Sequence, residues 1–334
     1  MKALQVPGEV FEQAYLYIAI ILGGMLATSL YNMCAGLLRA LGDSCSPLYF
    51  LIVSSLINLV LDILFIAGFH TGIWGGAALA TVLAQILSVL FCALYIWKRY
   101  REWLPQKQDF AADRLVLWDL ISTGFSMAVM LAVFHLGSVV LQSAINHLGS
   151  AVITAHTAAK RIIDMLMQPL TAIATANSTF TSQNWGAQKC RRIKDALCKS
   201  LALEIVWALS AAITVFLFGE QMVSVLIGQT EKSVLDNAVM NLRINFICFP
   251  MLGVVLCLCM AMQSMGSKII PIVSSGIEML IKPVSVFVFL PHGGYFEASL
   301  TEPLTWVACC IFLSVVYLLR DHPRLKQKER FHEI

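Results

Sequence analysis

Long apolar stretches alternate with short polar connections along almost the whole chain. A helix needs about 20 predominantly apolar residues to cross the hydrocarbon core of a bilayer. Nine stretches are of roughly that length, and they predict nine transmembrane helices in an all-α membrane protein. Their approximate ranges are 13–38, 48–70, 73–97, 115–147, 150–182, 198–219, 236–264, 269–291 and 296–319.

The composition agrees with this pattern. Of the 334 residues, 58% are hydrophobic and only 13% are charged, whereas charged residues make up about a quarter of a soluble domain. Most of the ten cysteines lie inside the predicted spans. Because none has a neighbouring histidine at zinc-ligand spacing, we interpret them as small hydrophobic residues. We expect no cofactor and no nucleic-acid partner.

Basic residues mark one side of the predicted membrane. Seventeen of the 23 Lys and Arg residues fall on alternate connections, and the opposite connections contribute only Lys232. The positive-inside rule makes the basic connections cytoplasmic. The C-terminus is then cytoplasmic and, with nine spans, the N-terminus is external. The basic positions are Arg39, Lys98, Arg99, Arg101, Lys107, Arg114, Lys189, Arg191, Arg192, Lys194, Lys199, Lys268, Arg320, Arg324, Lys326, Lys328 and Arg330.

A hairpin between two spans occurs twice, 224 residues apart. The first copy has Gly42 and Pro47, and the second has Gly266 and Pro271 at the matching positions. A long apolar span precedes each glycine and another follows each proline. Weak symmetry of this kind is how many secondary transporters are built.

The symmetry leaves the first half short. Spans seven to nine mirror spans one to three, whereas spans four to six have no counterpart upstream. Residues 1–13 lack the basic and apolar regions of a signal peptide. We therefore expect a fragment of a protein with six plus six spans, or a misplaced start codon. A reading frame that continues upstream with three further spans would support this expectation.

Asn58 and Asp62 lie in the middle of the second predicted span, four residues apart and therefore on one helix face. A carboxylate at that depth is costly and usually faces a cavity or a partner. The pair is a functional-site hypothesis. The alternative is that Asp62 only caps a structural hydrogen-bond network.

Polar pairs also occur in the second half. Glu278 and Lys282 are four residues apart, in the order that favours an ion pair along one helix. We interpret this pair as mainly structural. Gln142 and Asn146 are spaced in the same way. They either line a central cavity or join neighbouring helices by hydrogen bonds.

Several segments together resemble one family of transporters. They are LLRALGDSCSPLYF and LINLVLDILF (37–50 and 56–65), GIWGGAALATVLAQ (72–85), AHTAAKRI (155–162) and TSQNWGAQKCRRI (181–193). In this order they resemble the multidrug and toxic compound extrusion (MATE) family. Members of that family have twelve spans in two pseudo-symmetric lobes, so this chain is similar to spans four to twelve.

The resemblance implies a domain organisation. It comprises a partial N-lobe of three spans (1–97), a cytoplasmic linker (98–114), a C-lobe of six spans (115–319) and a cytoplasmic tail (320–334). The lobes would meet around a central cavity, and the protein would act as a monomer in the cytoplasmic membrane.

The resemblance also implies a function and a site. Members expel organic cations in exchange for H⁺ or Na⁺, and the ion-binding positions correspond to Asn58, Asp62 and Thr81. No other metal is expected. The alternatives are a transporter similar to lipid-linked oligosaccharide flippases and an inactive truncated fragment. An enzyme is not expected, because the sequence has no paired acidic clusters, HExxH or GxSxG motif.

Overall fold

A computed structural model describes residues 8–68, 73–104, 113–228 and 231–332. The described residues contain helices and turns and no β-strand, which confirms the predicted all-α architecture. The helices are α1 (Gly8–Ala40), α2 (Cys45–Ile63), α3 (Ile73–Arg99), α4 (Arg114–Asn146), α5 (Ser150–Gly186), α6 (Cys190–Ile227), α7 (Lys232–Ile247), α8 (Phe249–Ser264), α9 (Ile269–Val284), α10 (Leu290–Val316) and α11 (His322–His332).

Most of these helices are suited to a bilayer. Within the described residues, seven helices are long and apolar enough to span a membrane, and the bent pair α7–α8 brings the number to eight. Helix α5 is 37 residues long, but it carries Lys160, Arg161 and Asp164 and is not among them. Lys160 and Asp164 form an ion pair at 3.5 Å on a half-exposed face. The count of nine spans therefore stays a prediction that depends on α5.

The seventh predicted span is two helices instead of one. Helices α7 and α8 meet at an angle of 52°, and Cys248 between them has a non-helical backbone. Pro250 lies in the first turn of α8, where a proline fits because its missing N–H has no partner in any case. The same proline inside a continuous helix would remove a hydrogen bond and clash with the preceding turn. The seventh predicted span, 236–264, therefore corresponds to a bent pair of helices, which together are long and apolar enough for one broken span.

The two repeated hairpins have the same backbone geometry. Gly42 and Gly266 have φ angles of +89° and +85°, which favour glycine because a side chain would crowd the backbone. The N–H of the next residue reaches back five positions in both cases. Asp43 N donates to Leu38 O and Ser267 N donates to Met262 O, each at 2.9 Å. This 6→1 bond is the helix-ending Schellman pattern.

The chain divides into two compact units, Met1–Ala112 and Asp113–Ile334. In the first, α3 packs against both α1 and α2. The approach of α1 to α3 is close, because a Cβ atom built at Gly24 would overlap the side chain of Val82. Leu38 and Cys92 are fully buried in the core at the hairpin end of this unit. Residues 105–112 of the inter-lobe linker predicted at 98–114 lie outside the described residues.

The second unit has a larger core, centred where α7 meets α8. The rings of Phe246 and Phe249 are 4.4 Å apart, and Trp306 of α10 lies against Phe249 at 6.3 Å. Both phenylalanines are fully buried. The break between α7 and α8 therefore lies inside the core, where it presents two aromatic rings to neighbouring helices.

The predicted C-terminal tail is a packed helix over much of its length. Leu325 of α11 is completely buried, and Glu329 forms an ion pair with Lys194 near the start of α6. Two cations of α11, Arg324 and Lys328, lie over the ring of Trp185. Apolar burial and cation–π contact hold α11 against the α5–α6 hairpin.

Candidate functional site

Helices α2 and α3 run antiparallel and bring the first candidate residues to the same level. Ser54 Oγ donates to Ala84 O at 2.7 Å across the two helices, and the rings of Phe50 and Tyr95 lie 5.5 Å apart nearer the hairpin. Each turn onward along α2 corresponds to one turn back along α3. This register places Asn58 and Thr81 on facing turns, about one turn beyond the Ser54–Ala84 contact.

Three buried polar atoms in this region have no hydrogen-bond partner among the described residues. They are Asn58 Nδ2, Asp62 Oδ1 and Gln85 Oε1. Buried polar groups in folded proteins are almost always paired, because an unpaired one costs about 1–3 kcal/mol. Two of the three, Asp62 Oδ1 and Gln85 Oε1, are acceptor oxygens on two packed helices, which makes this region the candidate cation site.

Thr81 adds a hydroxyl oxygen to the oxygen atoms of Asn58 and Asp62 that could bind a cation. Its hydroxyl donates to Ala77 O at 2.9 Å, so the oxygen lone pairs stay available as acceptors. No group of three or more His, Cys, Asp or Glu that could hold a metal forms among the described residues. Carboxylate, amide and hydroxyl oxygens suit a hard cation or a proton better than a transition metal.

Gln142 and Asn146 bind each other on the surface of the second unit. Gln142 Nε2 donates to Asn146 Oδ1 at 2.9 Å. Asn146 is exposed, and among the described residues neither side chain forms a hydrogen bond to another helix of this unit. Its assignment to a cavity remains a prediction.

The expected ion pair between Glu278 and Lys282 does not form. Lys282 Nζ instead lies 3.2 Å from Oε1 of Glu302 on α10. It is also 3.3 Å from Ser138 Oγ and 4.6 Å from the ring centre of Phe134 on α4. The lysine is completely buried. Its long side chain reaches across to α10, because the carboxylate of Glu302 is closer to its ammonium group than the carboxylate of Glu278.

Glu278 nevertheless stays in the same part of the unit. Glu278 is 8% exposed. Helix α9 therefore contributes two buried charged residues, Glu278 and Lys282, to the interface that it forms with α4 and α10. A Cβ at Gly137 would lie 3.0 Å from Lys282 Cδ. The glycine therefore leaves room for the lysine stem, and the polar cluster is Glu278, Lys282 and Glu302.

Sequence reasoning gave no role to three polar residues that lie at helix-packing interfaces. Gln85 lies four residues after Thr81 and therefore on the same face of its helix, a spacing that is readable from the sequence. Glu302 and Glu204 were not singled out. Glu204 had a clear signal, since it is the lone acid in an apolar run of α6, whereas Glu302 lies in a polar stretch that gives no such signal.

The chain matches the MatE family model over residues 1–64 and 125–288. It is 26% identical over 302 residues to the probable multidrug resistance protein YoeA of Bacillus subtilis, covering 87% of this chain and 64% of that protein. It is 24% identical over 282 residues to the FAD transporter of Shewanella oneidensis, covering 81% of this chain and 62% of that protein. The chain therefore spans less than two thirds of the length of either relative.

The fold is also that of solved transporters. The crystal structure of the Vibrio cholerae MATE transporter VcmN in the bent form superposes with a TM-score of 0.84 at 17% identity, covering 99% of this chain and 74% of that one. At such low identity this likeness concerns the fold alone. The family model covers more than half of the chain, and the unpaired polar residues Asn58 and Asp62 fall inside its first matched segment. The chain therefore belongs to the MatE family of multidrug and toxic compound extrusion transporters.

Proposed function

We propose that this chain is part of a cation-coupled antiporter that exports organic cations across the cytoplasmic membrane, with H⁺ or Na⁺ as the coupling ion. Asp62 carries the coupling charge, and Asn58 and Thr81 supply further oxygen ligands. Transport proceeds by alternating access of one site to the two sides of the membrane. The C-terminus is cytoplasmic.

One observation carries this proposal. Asp62 and Gln85 each present a buried acceptor oxygen without a partner on two packed, apolar helices. A structural network would pair such atoms, because burial without a partner is costly. An ion site leaves them unpaired until the ion arrives.

The mechanism follows from the cost of an isolated charge. An ionised Asp62 in an apolar span needs a positive charge close by. A proton, a sodium ion or an organic cation supplies that charge, and they compete for the same carboxylate. Entry of the coupling ion from one side therefore displaces the substrate on that side.

The test uses protein reconstituted in lipid vesicles, with uptake of a fluorescent organic cation driven by an imposed H⁺ or Na⁺ gradient. Asp62→Asn keeps size and hydrogen bonding but cannot ionise, so we expect insertion without gradient-driven transport. Asp62→Glu restores the charge and is expected to recover part of the activity. Asp236→Asn removes an exposed acid of α7 that forms no ion pair among the described residues and serves as a matched control. Gradient-sensitive transport in Asp62→Asn would show that the coupling charge lies elsewhere.

The FAD transporter of Shewanella oneidensis supports a second candidate substrate class. A flavin dinucleotide is anionic, so it would not compete with the coupling ion for Asp62. The same vesicles test this with FAD in place of the organic cation. Lipid-linked oligosaccharide flipping and absence of transport are the remaining outcomes, and both would overturn the proposed antiport.

A further inference from the structure

Glu204 is a buried acid without a partner in the second unit. Glu204 is 0% exposed, and neither of its carboxylate oxygens has a hydrogen-bond partner among the described residues. It lies 14 residues after Cys190, the first residue of α6, which is about 21 Å along a helix that rises 1.5 Å per residue. Isolation at this depth makes the ionised form very unfavourable.

The packing around Glu204 is built to hold this side chain. A Cβ atom built at Gly253 of α8 would lie 3.1 Å from Glu204 Oε2 and 3.4 Å from Leu170 Cδ2. Only a glycine there lets α8 approach α6 so closely without moving the carboxyl group. Glu204 is therefore enclosed where α5, α6 and α8 meet.

Polar groups lead from this junction toward the α5–α6 hairpin. Cys257 lies one turn beyond Gly253 on α8, and its Sγ accepts a hydrogen bond of 3.5 Å from Asn177 Nδ2. Asn177 Oδ1 is buried without a partner, as is Oγ1 of Thr181 one turn further along α5. Asn184, also buried, lies two residues before the end of that helix.

The spacing of these residues makes a continuous series. Asn177, Thr181 and Asn184 lie nine, five and two residues before Gly186, the last residue of α5. In the antiparallel pair α5–α6 they occupy successive levels between Glu204 and the hairpin. Two of the three carry an unpaired buried acceptor, in an interface where apolar side chains would have packed at lower cost.

No charged residue neutralises Glu204 within the described residues. On α8 the neighbouring titratable group is Cys257, and the helix carries no charged residue. The charged residues on the other helices packed against α6 whose side chains the structure describes are exposed or paired elsewhere: Lys160, Arg161 and Asp164 on α5, Lys232, Asp236 and Arg243 on α7, and Arg324, Lys326, Lys328 and Glu329 on α11.

We propose that Glu204 is a proton-binding site of the second unit, reached from the α5–α6 hairpin along Thr181 and Asn177. The carboxylate takes up one proton and becomes a neutral carboxylic acid, so the only ligand is the proton. The site lies in a different unit from Asp62. It goes beyond the proposed antiport and does not depend on the role of Asp62.

Infrared spectroscopy of the protein in lipid vesicles tests the proposal without a transport assay. We expect a carbonyl band of a protonated carboxyl group at neutral pH that is absent in Glu204→Gln. Glu220→Gln removes an exposed acid from the same helix and should leave the band unchanged. The band should shift on transfer to D₂O and weaken as the pH is raised. A band that Glu204→Gln leaves intact, or that neither exchanges nor titrates, would overturn the proposal.

The path has its own test. Asn177→Leu and Thr181→Val remove polar atoms while keeping apolar volume, and each should slow the exchange of the Glu204 proton with D₂O. Thr179→Val, on the same helix, is the matched control, because Thr179 only donates to Thr175 O in its own helix. Equal exchange rates in Asn177→Leu, Thr181→Val and Thr179→Val would reject the path. A carboxyl band that Na⁺ abolishes would show that Glu204 binds a metal cation instead of a proton.

Discussion

Lys282 Nζ lies 3.2 Å from Glu302 Oε1 on the neighbouring helix, although Glu278 stands one turn away on the lysine's own helix. The lysine also contacts Ser138 and the ring of Phe134 on α4. One buried side chain therefore links α4, α9 and α10. A buried charge that is paired in this way becomes costly as soon as its partner is removed.

We expect Glu302→Gln to lower the free energy of unfolding by about 3–5 kcal/mol, because it leaves a buried ammonium group without its counter-charge. Glu278→Gln should cost less, since Glu278 forms no ion pair with this lysine. Unfolding in mixed micelles, followed by tryptophan fluorescence, measures both. Lys282→Met should recover much of the stability lost in Glu302→Gln. Equal losses in the two glutamate variants would contradict the assigned pairing.

The close approach of α1 to α3 gives a second prediction. Gly24→Ala should destabilise the first unit by about 1–3 kcal/mol, because the added methyl group overlaps Val82 in a packed interface. Gly23→Ala is the matched control, since a Cβ there meets no atom within 4 Å. Val82→Ala should rescue Gly24→Ala. Thermal unfolding of the purified variants distinguishes these cases, and equal effects at the two glycines would refute the contact.

The two hairpin glycines, Gly42 and Gly266, give a third prediction. Gly42→Ala and Gly266→Ala should each cost about 1–2 kcal/mol, because an L-residue is strained at positive φ. Neither glycine has a neighbour that a Cβ would contact, so the cost comes from the backbone alone. Gly36→Ala, inside α1 four residues before its end and with the same open surroundings, should be neutral or stabilising. A neutral result at both hairpins would mean that the left-handed conformation is absent.

Asp43 makes the first hairpin sensitive to acid. Partial burial alone would raise the pKa of this carboxyl group, but hydrogen bonds from Ser46 and Tyr95 outweigh it and lower the pKa below its ordinary value. The Ser46 hydroxyl donates at 2.7 Å and the Tyr95 hydroxyl at 3.0 Å. A lowered pKa means that the ionised form is the one that stabilises the folded hairpin.

The stabilisation by Asp43 should therefore be complete above the ordinary aspartate pKa of about 4. It should disappear as the pH falls through the lowered pKa. Comparing wild type with Asp43→Asn by unfolding at a series of pH values measures this difference. Tyr95→Phe removes one of the hydrogen bonds that lower the pKa of Asp43. It should therefore narrow the pH range between the ordinary and the lowered pKa over which the stabilisation is lost. A stability difference that grows on acidification would reverse the assigned sign.

The sequence alone predicted those features that depend on local composition. The apolar spans were visible because each residue in a bilayer meets much the same solvent, whatever its tertiary contacts. The glycines at 42 and 266 were readable as turn formers for a similar local reason, and the structure gives both a positive φ. Asn58 and Asp62 stood out because their spacing and their apolar surroundings are properties of one helix.

The tertiary structure decided which residues meet. Lys282 had a carboxylate within one turn of its own helix, yet its partner is on another helix, because the pairing depends on how α9 and α10 pack and not on spacing. The break at Cys248 depends on a core that accepts Phe246 and Phe249 as neighbours. Glu204 was readable as an isolated acid, but its enclosure by Gly253 and the polar series on α5 required the packing of three helices, which no single helix specifies.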